Sequence, residues 1–176
     1  MGNFGTRIAA AVLVASLVVL VLVPATAVAA AGAKTYRFTI SGTEVSATST
    51  TGRFVGAASG SALGTWYAEV IHDPLGASAD IRPGGSFGMA LHQAEPAYLV
   101  SGQFSRGTIT VNNPGAHCTN QVYTVDGYLR NVSATGTGHV VATLTHHRRS
   151  VLGRCWLYAA TVGGTIHAGL ITCMKA

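Results

Sequence analysis

From Thr35 onward the chain is written in alternation. Tyr36, Phe38 and Ile40 are apolar, and Thr35, Arg37 and Thr39 between them are polar, the period of two expected of a strand with one buried face. The same rhythm, or a short apolar run, recurs over residues 53–58, 65–72, 86–92, 98–104, 108–111, 121–132, 139–147, 155–162 and 165–171. Turn chemistry separates these runs. Pro83-Gly84 and Pro114-Gly115 suit type II turns, where Pro sets φ and Gly takes the positive φ, and Gly163-Gly164 reads as a tight hairpin. No stretch after Lys34 sustains a 3.6-residue apolar period with caps, so helices are expected to be short or absent. The prediction is an all-β domain of about 8–10 antiparallel strands. A closed or nearly closed β-barrel is preferred, because the long 121–132 run can tilt and wrap and the glycines suit barrel corners. A two-sheet sandwich is the alternative.

Ahead of Thr35 the pattern changes. Residues 1–7 carry a single positive charge at Arg7, residues 8–23 are an unbroken run of mostly Val, Leu and Ala, and Pro24 ends it. Small residues follow, with Ala-x-Ala choices at Ala25/Ala27, Ala27/Ala29 and Ala31/Ala33. That order predicts a secretory signal peptide over 1–33, helical through its apolar core and cleaved between Ala27 and Lys34. Residues 34–176 then form one domain, the exported protein. No cysteine lies near the cleavage region, which argues against a lipid anchor, and membrane contact is expected only if the segment stays uncleaved.

Composition agrees with export. The chain has 176 residues, only 10% of them charged, and 22 glycines, a make-up that suits extracellular β-proteins better than charged helical bundles. The formal charge of +5 is mild and dispersed, unlike the dense basic patch of a nucleic-acid binder. Three cysteines, Cys118, Cys155 and Cys173, face an oxidising compartment after export. Cys118 follows the Pro114-Gly115 turn and Cys155 opens a strand, so a Cys118–Cys155 bridge is favoured. Cys173 is then left free or able to link a dimer. A Cys155–Cys173 bridge remains the alternative. The absence of any C-x-x-C removes support for a redox or zinc-ribbon site.

The segments Gly52-Arg53-Phe54, Gly64-Thr65-Trp66, Gly84-Gly85-Ser86-Phe87 and the stretch from Val100 to Gly107 resemble small exported β-rich proteins of actinobacterial type, a group of uncharacterised function. Leu144-Thr145-His146-His147-Arg148 and Gly153-Arg154-Cys155 resemble the same group. The glycine-rich strand rhythm is also similar to allene oxide cyclase and dirigent barrels. That second resemblance implies a barrel with an apolar lumen and carries over no catalytic residue.

Candidate chemistry comes from strand phase. Trp66, Ala68 and Val70 share a face with His72, and Val140, Ala142 and Leu144 share a face with His146. If those faces point inward, His72 and His146 stand near a mouth beside Trp66, with apolar walls and a few orienting polar groups, as a small-molecule site requires. Arg148 joins this ligand-binding set as a cation for an anionic group. Arg148, Arg149 and Arg154 together suit an anionic surface. Adjacent His146 and His147 diverge on a strand, so no metal site is expected, nor any cofactor. Glu69 and Asp73 share a face but lie about 13 Å apart, too far for an acid–base couple. Asp126 and Arg130 suggest a surface ion pair.

Three functions follow, in order. The first is a secreted barrel binding a small apolar or amphipathic ligand. The second is a structural, adhesive or inhibitory protein acting through its outer surface. The third is an isomerase or hydrolase using a mouth histidine, so enzymatic activity ranks below binding. A solid, polar-poor core would count against the first and third. Convergence of His146 with a carboxylate such as Glu69 in a cleft would favour the third.

Overall fold

A computed structural model describes residues 34–92, 98–113, 118–133 and 135–170. The expected signal peptide, the Pro114-Gly115 turn and Cys173 lie outside the described residues. Among the described residues there is no helix and there are nine strands: β1 (Lys34–Ala47), β2 (Thr51–Gly60), β3 (Leu63–His72), β4 (Ser78–Arg82), β5 (Ser86–His92), β6 (Tyr98–Val111), β7 (Gln121–Val132), β8 (Gly136–Val151) and β9 (Arg154–Leu170).

Every pairing is antiparallel, and the pairings close on themselves. β1 lies between β2 and β9, β2 meets β3, and β6 to β9 follow in order. β4 and β5 occupy one place between β3 and β6. Ile71 and His72 face Arg82 and Ile81, whereas Leu63 to Ala68 face His92 to Phe87. They are thus one strand broken at Pro83-Gly84-Gly85, where Gly84 takes φ 112° and donates its N–H to the Phe104 carbonyl. Pro83-Gly84 therefore kinks a strand and does not reverse the chain. The ring has eight positions, and a ring of that size encloses a space that side chains can fill.

They do fill it. The inward phase of each strand delivers one continuous apolar cluster, with Phe38, Phe104, Ile166 and Val132 wholly buried within it. Between Phe54, Trp66, Phe104 and Val162 a void of only about 30 Å³ remains.

Two expected breaks are continuous strand. Residues 98–104 and 108–111 belong to β6, with a register shift between Phe104 and Arg106. Gly163 and Gly164 lie within β9, facing Ser41 and Ile40 of β1 on one side and Thr143 and Ala142 of β8 on the other. A Cβ on Gly164 would run into the Val141 carbonyl and Ala142, so that glycine lets β8 and β9 approach closely. The favoured bridge is present. Cys118 and Cys155 are disulfide-bonded, with Cα atoms 5.3 Å apart, and tie the segment before β7 to the start of β9.

Candidate functional site

One end of the ring collects the last residues of β1, β3, β6 and β8 and the first of β2 and β7. At that end lies a cavity of about 70 Å³. Phe54, Val70, Leu75, Ile109, Val125 and Leu144 supply apolar walls, and Glu44, His72, Tyr123 and His146 supply the polar groups.

Glu44 and His146 form the centre. The His146 Nε2–H donates to Glu44 Oε2 at 2.7 Å, and the two side chains are only 12% and 7% exposed. β1 and β8 are not neighbours, since β9 runs between them. The pair can meet because of what β9 places there. His146 faces Ala160, and Thr43 faces Thr161, which brings Glu44 to the level of Ala160 as well. A methyl group leaves room for two longer side chains to join above it. The register shifts beside each partner, at Val45, an extra residue on β1 after Glu44, and at Tyr158, an extra residue on β9 opposite His147 and Arg148. Bulges of this kind bend a strand and re-aim its side chains at the rim of a closed sheet.

A carboxylate only accepts, so the hydrogen shared with Glu44 sits on Nε2, and the neutral form of the ring has its lone pair on Nδ1. Tyr123 packs edge-on to that ring with centroids 5.0 Å apart. Burial pushes the Tyr123 phenol above the usual tyrosine value, Arg148 draws it partly back, and Glu44 adds to the rise. His72 is 6% exposed and donates from Nδ1 to the Asp73 carbonyl at 2.6 Å, leaving Nε2 as an acceptor.

Of the residues expected from strand phase, His72 and His146 do line one cavity. Trp66 does not join them. It lies deeper, its indole across Gly56, donating to the Ser41 carbonyl at 3.1 Å. Six residues of strand separate it from His72, a rise of about 20 Å, so a shared face did not mean a shared level. Arg148 stands at the rim, its backbone N–H bound to Asn120 Oδ1 at 3.2 Å, and acts on Tyr123 through its charge.

Elsewhere, Glu69 is on the outer face with Arg53, and Asp73 pairs with Arg82. Asp126 takes His139 at 2.7 Å in place of Arg130, and His139 stacks on Tyr128 beneath Arg106. His147 points away from His146 and reaches Thr161 Oγ1 at 2.9 Å. Among the described residues no three His, Cys, Asp or Glu side chains gather as a metal site would require.

Glu44 and Tyr123 were not singled out from the sequence, although both sit on the inward phase of their strands. Glu44 continues Tyr36, Phe38, Ile40 and Gly42, and Tyr123 precedes Val125, Gly127 and Leu129. A carboxylate in the inward phase is the readable sign, since the alternation of Tyr36, Phe38 and Ile40 runs on through Gly42 to Glu44. No family model, curated protein or solved structure matches this chain.

Proposed function

We propose that this protein is an exported β-barrel that binds a small amphipathic molecule by its polar head at one mouth. The observation that carries this reading is the nearly buried Glu44–His146 pair walling a cavity beside His72 and Tyr123. A carboxylate removed from water is costly unless it is hydrogen-bonded, and this one is held where an outside molecule can reach it. Sites for drug-sized ligands span roughly 300–1,000 Å³. A cavity of about 70 Å³ accepts only a head group, and the filled interior offers no lumen for an apolar tail. The ligand is therefore one whose tail stays at the rim, across Leu75. A hydroxyl head suits the site, since it can donate to Glu44 and accept from a neighbouring N–H or O–H.

Export is supported by the order of charge, apolar run and small residues over 1–33, and by a disulfide of the kind oxidising compartments retain. Native mass spectrometry of protein recovered from the medium of a secreting host tests both parts. The chain should begin between Ala27 and Lys34 and carry an extra mass that denaturation removes. Glu44→Gln should arrive without that mass. Wild-type protein whose mass is wholly accounted for by its chain, in every preparation, would count against the binding reading.

A second reading has its own observation. The carboxylate orients the His146 ring, leaving Nδ1 as a base, the arrangement by which a histidine is readied for proton transfer. On that reading the bound molecule is converted, so a ligand whose mass changes on incubation favours a hydrolase over a carrier, and one whose NMR spectrum changes at constant mass favours an isomerase.

A further inference from the structure

We propose that the hairpin joining β8 and β9 is a membrane-docking element that seats its tip in an anionic lipid bilayer. This inference does not depend on what fills the mouth cavity.

The hairpin tip is built against local preference. Val151 faces Arg154, and the two residues between them, Leu152 and Gly153, have φ of 51° and 73°. A two-residue turn with positive φ at both positions is ordinarily Asn-Gly or Gly-Gly, because a side chain such as leucine is strained there. Leu152 is also 98% exposed. Neither backbone geometry nor water favours a leucine at this apex. A nonaqueous environment does.

The residues behind it follow the same order. Val151, Trp156, Leu157 and Tyr158 are all exposed, and every residue from Arg149 to Tyr158 faces solvent. The shift between His147 and Arg148 leaves Tyr158 as an extra residue on β9, with the Arg149 guanidinium 5.4 Å from its ring centre. Arg148, Arg149 and Arg154 supply positive charge, and no Asp or Glu follows Asp126 anywhere in the sequence. An aliphatic apex, an aromatic band and arginines set around it complement a bilayer, whose hydrocarbon lies beneath an aromatic-accepting interface and anionic headgroups. A second copy of the same cationic hairpin would be repelled.

The element is also held in place before any contact. Cys155, opposite Ser150 and close to the turn, is bonded to Cys118, and the Arg148 N–H is fixed by Asn120. A braced tip loses little freedom on docking.

The full chain contains two tryptophans, Trp66 buried in the ring and Trp156 on the hairpin. Quenching by lipids brominated on their acyl chains therefore reports on Trp156, whatever residues 1–33 do. With vesicles of phosphatidylcholine and phosphatidylglycerol, Trp156 should be quenched, and with phosphatidylcholine alone quenching should be much weaker. Arg149→Gln with Arg154→Gln should weaken partitioning by about 25-fold, roughly five-fold per arginine. Leu152→Asn, which suits the turn better and should fold at least as well, should weaken it about ten-fold or more. Trp156 left unquenched by anionic vesicles would overturn the proposal and leave an acidic protein surface as the occupant. Quenching that survives both sets of substitutions would overturn it too, by assigning the membrane contact to another segment.

Discussion

At the residue scale the molecule turns on what Ala160 leaves empty. Its methyl group allows Glu44 and His146 to join across β9, so a larger side chain there should separate them. Ala160→Leu is expected to cost about 1–3 kcal/mol through overpacking, read as a lower urea midpoint. His146→Ala strands the Glu44 carboxylate in a nearly buried place and should cost about 3–5 kcal/mol. Replacing both, as Glu44→Leu with His146→Leu, should cost less than His146→Ala alone. A double loss equal to the sum of the separate losses of Glu44→Leu and His146→Leu would show that the two side chains do not act as a pair. Tyr123 gives a pH test. Folded Tyr123 holds its proton more tightly than the unfolded chain does, so its contribution is complete below the unfolded value, about 10, and is lost as pH rises through the higher folded value. Tyr123→Phe should flatten the loss of stability above about pH 10, and an unchanged alkaline fall would refute that assignment.

Elements were legible where turn chemistry and strand phase agreed. The ends of β5 and β7 match the ends of their apolar runs, Ser86–His92 and Gln121–Val132. β4 was missed because Ser78–Arg82 offers only Ala79 and Ile81 as inward residues, too few to show a period. Gly163-Gly164 was misread because glycine serves both turns and close strand approach, and a sequence writes the two alike. The site was half legible for a related reason. Strand phase says which face a residue takes, which brought out His72 and His146, but not its height along the ring, which misplaced Trp66 beside them. The disulfide belongs to this scale. It closes a separation of 37 residues, so Cys118→Ser with Cys155→Ser should lower stability by about 4 kcal/mol in the chain-entropy view. A loss under about 1 kcal/mol would mean that the hairpin base is held by other contacts.

For the whole molecule, closure is the governing fact. The first described strand pairs with the last, Thr35 facing Gly169 and Thr43 facing Thr161, so among the described residues no open edge is left between β1 and β9. Contacts of such sequence separation make folding slow, and refolding should take roughly milliseconds to seconds, not microseconds, in stopped-flow measurements. Closure also explains why the interior is a core while the chemistry sits at an end. The space inside eight positions is filled by the apolar cluster around Phe38, Phe104 and Ile166, so polar side chains gather where the strands run out. The cavity and the β8–β9 hairpin lie on the same rim, joined through His146 and Arg148 of one strand. Docking by the hairpin would bring the mouth close to lipid, a source of amphipathic molecules. The central claim, that the mouth cavity is the binding site, is tested most directly by following the histidine ring signals in NMR while n-hexanol is added. His72 and His146 should shift together along one saturating curve, while His139, His147 and His167 on the outer face stay in place. Ring signals of His72 and His146 that move no more than those outer ones would contradict it.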